Sequence, residues 1–203
     1  MSQSGLVVGT SGNVSVRTPD DRILITPSGL PYEEMKPEDV AVVDMEGNLV
    51  SGPLAPSVET PMHLGIYAAR PEAKSIVHTH ARYSTILACM GLEIPPVHYM
   101  LAELSDEGRI PVADYAVYGS RELAENASRA LGDSHRACLL RNHGTIAVGG
   151  SPEEAFKRTE VLEEMAEIFH HTRLAGGPIL LSQTQITETA EKMSAGYGQL
   201  KKI

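Results

Sequence analysis

At 203 residues, with 42% hydrophobic and 21% charged side chains, the sequence has the make-up of one globular domain long enough to bury a core. Seventeen Lys and Arg against 26 Asp and Glu leave a formal charge of −9 with no basic cluster, which argues against nucleic acid and anionic membranes as partners. No apolar run approaches ~20 residues and no basic-then-apolar leader opens the chain, so neither a membrane span nor a signal peptide is expected.

In chain order, the turn Gly9-Thr10-Ser11-Gly12-Asn13 leads into a strand over Val14-Ser15-Val16-Arg17. Asp20-Asp21 turns the chain into Ile23-Leu24-Ile25, which Thr26-Pro27-Ser28-Gly29 breaks. Val40 to Val43 and Leu49-Val50 flank Glu46-Gly47-Asn48 as a hairpin. Ser57 to Arg70 reads as a helix, with Ser57 as N-cap, Glu59 and Pro61 in the first turn, and Pro71 as the stop. The β-branched run from Lys74 to His80 reads as a strand, followed by a helix over Arg82 to Met90. Pro95 to Met100 and Ile110-Pro111-Val112 read as short extended segments, and Arg121 to Leu131 as a helix. Two strands, Ala137 to Leu140 and Thr145 to Val148, hold His143 in the turn between them. Ser151-Pro152-Glu153-Glu154 reads as a capping-box start to a helix reaching about Leu174, and the segment from Thr184 to Ala195 is also expected to be helical. Interleaved strands and helices without a linker make residues 1–203 one layered α/β domain. Cys89 and Cys138 lack disulfide-framework spacing and read as buried reduced thiols, which favours a cytoplasmic protein.

The chemistry concentrates in Glu59, His78-Thr79-His80 and His143. On a strand, residues i and i+2 share a face, so His78 and His80 point the same way. Neutral imidazoles with a carboxylate suit a divalent metal such as zinc. Against this stands the ordinary reading of each residue alone: a satisfied core histidine, or an acidic residue at a helix start. His63, four residues after Glu59, offers a less favoured helical metal pair, while His98, His135, His170 and His171 read as structural or solvated. Gly12-Asn13, Thr26-Pro27-Ser28-Gly29 and Ser57 are turns whose N–H groups and hydroxyls would suit a phosphate.

Several segments together carry a resemblance. They are Gly12 to Arg17, Ile25 to Glu33, Pro56-Ser57-Val58-Glu59, Val77-His78-Thr79-His80, Ile94 to Met100, Tyr118 to Leu123 and Asn142-His143-Gly144. Over nearly the whole chain, and in order, these resemble class II aldolases of the L-fuculose-phosphate aldolase type, within the aldolase/adducin superfamily. The resemblance implies a three-layer α/β/α domain with a central, largely antiparallel sheet flanked by helices. It also implies one zinc per subunit on Glu59, His78, His80 and His143, with Glu59 leaving the metal to act as acid/base. Asn13, Ser28, Gly29 and Ser57 then match positions binding the phosphate of dihydroxyacetone phosphate. Tyr99 matches a proton donor reaching a neighbouring subunit's site, and Tyr197 a tail tyrosine closing over substrate. The implied reaction is reversible cleavage of a ketose 1-phosphate, L-fuculose 1-phosphate or a close analogue, to dihydroxyacetone phosphate and a short aldehyde such as lactaldehyde. A metal-stabilised enediolate needs no lysine Schiff base. A homotetramer with sites at subunit interfaces is implied as well. Val58 stands where the aldolase carries a second serine, Ser28 where it carries threonine, and the family's additional N-terminal helix is expected to be missing. The alternatives are a methylthioribulose-1-phosphate dehydratase, a ribulose-5-phosphate 4-epimerase, or a non-catalytic adducin-like interaction protein.

Overall fold

A computed structural model of the chain describes residues 1–196. Eight strands form one sheet: β1 (Asn13–Arg17), β2 (Ile23–Ile25), β3 (Ala41–Val43), β4 (Leu49–Ser51), β5 (Ser75–Thr79), β6 (Val112–Ala113), β7 (Ala137–Leu140) and β8 (Gly144–Gly149). Their spatial order is β4-β3-β2-β1-β5-β8-β7-β6. Every pairing is antiparallel except β6 with β7, so the expected largely antiparallel sheet is present. The helices are α1 (Thr60–Ala69), α2 (Arg82–Met90), α3 (Leu101–Leu104), α4 (Arg121–Leu131), α5 (Pro152–Leu174) and α6 (Gln183–Ser194). Among the described residues, no helix is long and apolar enough to cross a membrane.

Period-2 alternation sorts the core into two layers. On β7, Cys138 and Leu140 join Ile76, Ile146, Met62, Ile66, Leu123 and Ala127 on the face covered by α1 and α4. Ala137 and Leu139 join Ala147, Leu87, Leu162, Met165 and Phe169 on the face covered by α2, α3 and α5. Strands β5, β7 and β8 are buried along their whole length, as strands sandwiched between helical layers must be. His78 shares the parity of Ile76 and therefore faces the α1 layer. Gly65 lets α1 approach α4, since a Cβ there would meet the Ala124 Cβ at 2.8 Å.

Four local expectations are corrected. Helix α1 starts at Thr60 with Glu59 as its N-cap, not at Ser57. The Ser57 hydroxyl still accepts the Glu59 N–H at 3.2 Å, so it shapes the turn ahead of the helix. At α5, Ser151 Oγ accepts the Glu154 N–H, but the Glu154 carboxylate takes the N–H of Gly150, leaving the capping box half formed. Within Pro95 to Met100, the chain turns at His98 into α3, a helix of four residues. Cys138 is buried and free, whereas Cys89 is free but exposed near the end of α2.

Candidate metal centre and cleft

Three elements bring the chemistry together at one end of β5. His78 is the penultimate residue of the buried strand β5 and His80 follows it by two residues, so both imidazoles lie on the α1 side. His143 arrives from the turn between β7 and β8. That turn depends on Asn142 in the left-handed region (φ 54°), which asparagine tolerates better than most residues. Gly144 follows because there is no room for more. A Cβ would collide with the Thr79 carbonyl and come within 2.7 Å of His80 Cδ2 and 3.3 Å of His78 Cε1. Gly12, at φ 76°, plays the same part on the other side, where a Cβ would meet the His78 carbonyl at 2.6 Å. Helix α2 leaves directly after the His-Thr-His triplet, and its first amides are capped from α5. Glu163 accepts the Tyr83 N–H at 2.7 Å, the Ser84 N–H at 2.9 Å and the Ser84 hydroxyl at 2.6 Å.

The rings of His78, His80 and His143 form a near-equilateral triangle with centroids 4.8–5.1 Å apart. His78 Nδ1 donates to the Thr145 carbonyl at 2.8 Å, which fixes its tautomer and leaves a lone pair on Nε2 aimed inward. His80 Nε2 lies 3.0 Å from that atom. Two nitrogens on a tetrahedral ion with bonds of 2.0–2.1 Å stand about 3.3 Å apart, so this spacing suits a shared ion. Glu59 closes the fourth side: Oε2 is 3.0 Å from His78 Nε2, and Oε1 is 3.2 Å from His143 Nε2. Oε1 is nevertheless buried without a hydrogen-bond donor among the described residues. A buried carboxylate oxygen in that condition beside three imidazoles is what a cation would satisfy, and the donor set fits zinc.

Electrostatics follow from this packing. Burial alone would raise the Glu59 carboxyl, but His143 and His78 outweigh it and hold the group well below the ordinary carboxylate range. Burial, with the neighbouring His78 and His143, pushes His80 down to about 4. His80 is therefore a neutral imidazole at neutral pH, the form that binds metal.

The site opens into a cleft of about 430 Å³ whose lining includes Ser11, Gly12, Pro27, Ser28, Gly29, Ser57, Val58, Glu59, His80 and His143. Ser28, Gly29 and Ser57 thus stand together at the mouth, joined by the Ser57 N–H donating to the Thr26 carbonyl and the Ser28 N–H to the Ala55 carbonyl. Gly29, at φ 71°, supplies the turn. Val58 is exposed at the rim, and Tyr115 and Tyr118 line the cleft with it. Among the described residues, no lysine or arginine lines the cleft. Tyr99 does not line it either; its half-exposed ring packs on His98 at 4.6 Å. Tyr197 lies outside the described residues.

Asn13 lines the cleft as well. Its backbone is in register with His78, and its amide Nδ2 donates to Glu59 Oε2 at 3.0 Å. Behind it stands His63, fully buried and pushed by that burial to about 3. Its Nε2 is 2.5 Å from Asn13 Oδ1, and its Nδ1 is 2.6 Å from Ser15 Oγ. Ser15 Oγ lies 2.8 Å from the Tyr67 hydroxyl. His63 thus reaches Glu59 through one intervening group, Asn13, rather than pairing with it on a metal. The sequence signal was available: His63 and Tyr67 recur at i+4 and i+8 from Glu59 on one helix face, opposite the inward positions Asn13 and Ser15 of β1.

Three comparisons bear on the chain. A family model described as the class II aldolase and adducin N-terminal domain matches residues 1–170. A 5-methylthioribulose-1-phosphate/5-deoxyribulose-1-phosphate aldolase of Rhodospirillum rubrum is 40% identical over 194 residues, which cover 96% of this chain and 86% of the relative. A 5-deoxy-D-ribulose 1-phosphate aldolase of Bacillus thuringiensis is 38% identical over 200 residues, 98% of this chain and 92% of that one. A solved L-fuculose 1-phosphate aldolase, 38% identical, superposes with a TM-score of 0.90 over 95% of this chain and 90% of its own.

Proposed function

This chain belongs to the class II aldolase and adducin family and is a lyase of the aldolase kind, and we propose that it uses zinc to cleave a ketose 1-phosphate into dihydroxyacetone phosphate and a short aldehyde. The observation that carries this reading is the convergence of His78, His80, His143 and the donor-free Oε1 of Glu59 at the cleft. The favoured substrates are L-fuculose 1-phosphate and its close analogue 5-deoxyribulose 1-phosphate. Both are named for relatives or solved neighbours, and both release an aldehyde ending in a methyl group. The exposed Val58 and the tyrosines Tyr115 and Tyr118 give that end an apolar wall.

A divalent metal held by the three histidines would act as a Lewis acid on the negative charge that develops when the C3–C4 bond breaks. The remaining chemistry belongs to the chain. The Gly29 N–H and the hydroxyls of Ser28 and Ser57 would orient the phosphate, without a cationic side chain. Glu59, kept ionised, returns a proton to C3 after it has taken one from solvent or substrate, and removes that proton in the reverse direction. For this Oε1, once released from the metal, would be the reacting atom. Tyr99 of a neighbouring copy moves the proton at the aldehyde oxygen, and Tyr197 closes over the site. The first of these roles makes the working unit an oligomer, which the family resemblance puts at a homotetramer. Two free cysteines accord with a cytoplasmic setting.

The test is purified protein assayed for released dihydroxyacetone phosphate with glycerol-phosphate dehydrogenase, on fuculose, 5-deoxyribulose and ribulose 1-phosphates. Turnover on one of the deoxy substrates, with about one zinc per chain by elemental analysis, is the expected result. Metal-loaded protein inert on all three would sink the aldolase reading. Loss of water or epimerisation in place of cleavage would move the chain to another reaction on the same scaffold.

A further inference from the structure

The buried groups behind Glu59 have a direction, and it can be derived. A carboxylate only accepts hydrogen bonds, so at 3.0 Å Asn13 must present Nδ2 to Glu59 Oε2. Asn13 Oδ1 then faces His63 Nε2 at 2.5 Å, and that nitrogen must carry the proton. A neutral, fully buried imidazole has one N–H, so Nδ1 is bare and accepts the Ser15 hydroxyl proton at 2.6 Å. Ser15 has then spent its only proton, and the Tyr67 hydroxyl must donate to it at 2.8 Å. Every donor in the chain Tyr67–Ser15–His63–Asn13 points toward the carboxylate.

We propose that Tyr67, Ser15 and His63 are positioning residues: a one-way hydrogen-bond relay that fixes the amide of Asn13 and thereby ties down Oε2 of Glu59, leaving Oε1 as the reacting oxygen. The inference rests on the role proposed above for Glu59. Reversal at any link propagates. If His63 carried its proton on Nδ1, Nε2 would call for a donor, Asn13 would flip, and Oδ1 would face the carboxylate oxygen. Two acceptors in contact repel, so Glu59 would swing away from the orientation it holds between His78 and His143. The relay lies where β1 crosses under α1, so the same elements that carry the fold hold the aim of the acid/base.

Two readouts test it on the full-length protein. The first is the nitrogen spectrum of imidazole-labelled, metal-free protein, which needs no turnover. His63 is expected as the Nε2–H tautomer, and Ser15→Ala, which removes the hydroxyl donor to Nδ1, is expected to move the signal of that bare nitrogen while Nε2 stays protonated. Finding the Nδ1–H form in the unsubstituted protein overturns the relay, even if the aldolase reading stands. The second is kinetic. His63→Phe, checked for an unchanged folded spectrum and zinc content, is expected to lower kcat by about 10- to 100-fold with little change in KM. His63→Gln, whose amide N–H can occupy the place of Nε2, is expected to recover part of it. Equal kcat in His63→Phe and the parent overturns the proposal, as does a loss confined to KM. Should His63→Phe fail to fold, Tyr67→Phe replaces it: it keeps the ring and removes only the first donor, and a parent-like His63 spectrum and kcat in that variant would remove Tyr67 from the relay. If the parent cleaves no ketose phosphate, the Glu59 reading fails on its own and the tautomer measurement alone decides the relay.

Discussion

Glu59 shows how much one side chain's role depends on its backbone. Its φ of −95° and ψ of 8° place it in the bridge region at the helix boundary, so its carboxylate turns into the histidine cluster rather than along the helix face. Replacing one oxygen by an amide keeps the size and removes the proposed base. Glu59→Gln is therefore expected to retain about one zinc per chain, since three histidines remain, and to lose about 100-fold or more in kcat. Elemental analysis and steady-state rates check both halves. The buried imidazoles make a second prediction. His63 and His80 sit at about 3 and about 4, below the ordinary 6.5. Below 6.5 the unfolded chain takes up protons that the folded chain refuses, so stability of the metal-free protein is full above that pH and is lost as pH falls toward 4. Glu59, held below its ordinary value, adds to the loss at the acid end of that window. Urea melts of chelated protein between about pH 7 and about pH 4 should show a falling midpoint; a flat profile would contradict the burial of these rings.

At the scale of elements, the site is made by close approaches more than by attractive pairs. The turn between β7 and β8 can carry His143 inward only because Asn142 accepts a left-handed backbone and Gly144 leaves no Cβ against Thr79, His78 and His80. Gly144→Ala is expected to fold, because the rest of β8 keeps its pairing with β5 and β7, but to bind zinc at least tenfold more weakly as the histidines are pushed apart. Metal titration against a chelating dye measures it, and unaltered affinity would mean the turn can yield. The strands and the helices α2 and α4 were legible from the sequence because hydrophobic period and turn residues agreed there. The start of α1 was not. Ser57 has the composition of an N-cap, yet the chain uses it to set a turn, and the decision is made by Glu59 being drawn into a cluster whose other members come from distant strands. Helix α3 was hidden for a different reason: four residues are too few to show a period.

For the whole molecule, the half-exposed Tyr99 away from the cleft of its own chain is the informative fact. If it serves a neighbour, two inactive variants should rescue each other. Tyr99→Phe and Glu59→Gln are each expected to lose most activity, and refolding them together should restore part of it, since some mixed sites receive both intact residues. No recovery from verified mixed oligomers would remove Tyr99 from a shared site. Sedimentation of the parent protein tests the tetramer independently.

The sequence by itself determined the ligand types, their spacing on β5 and the small-residue turns beside them, because these depend on local geometry: alternation along a strand, a positive φ, a missing Cβ. It also carried the family motifs in order, and with them the fold class. Only the tertiary structure decided what Asn13 and His63 do. Asn13 stood in a phosphate-type turn and His63 looked like a spare ligand, yet the crossing of β1 beneath α1 sets them in line behind Glu59. Hydrogen-bond direction is a property of groups brought together from separate elements. No spacing along one chain segment encodes it.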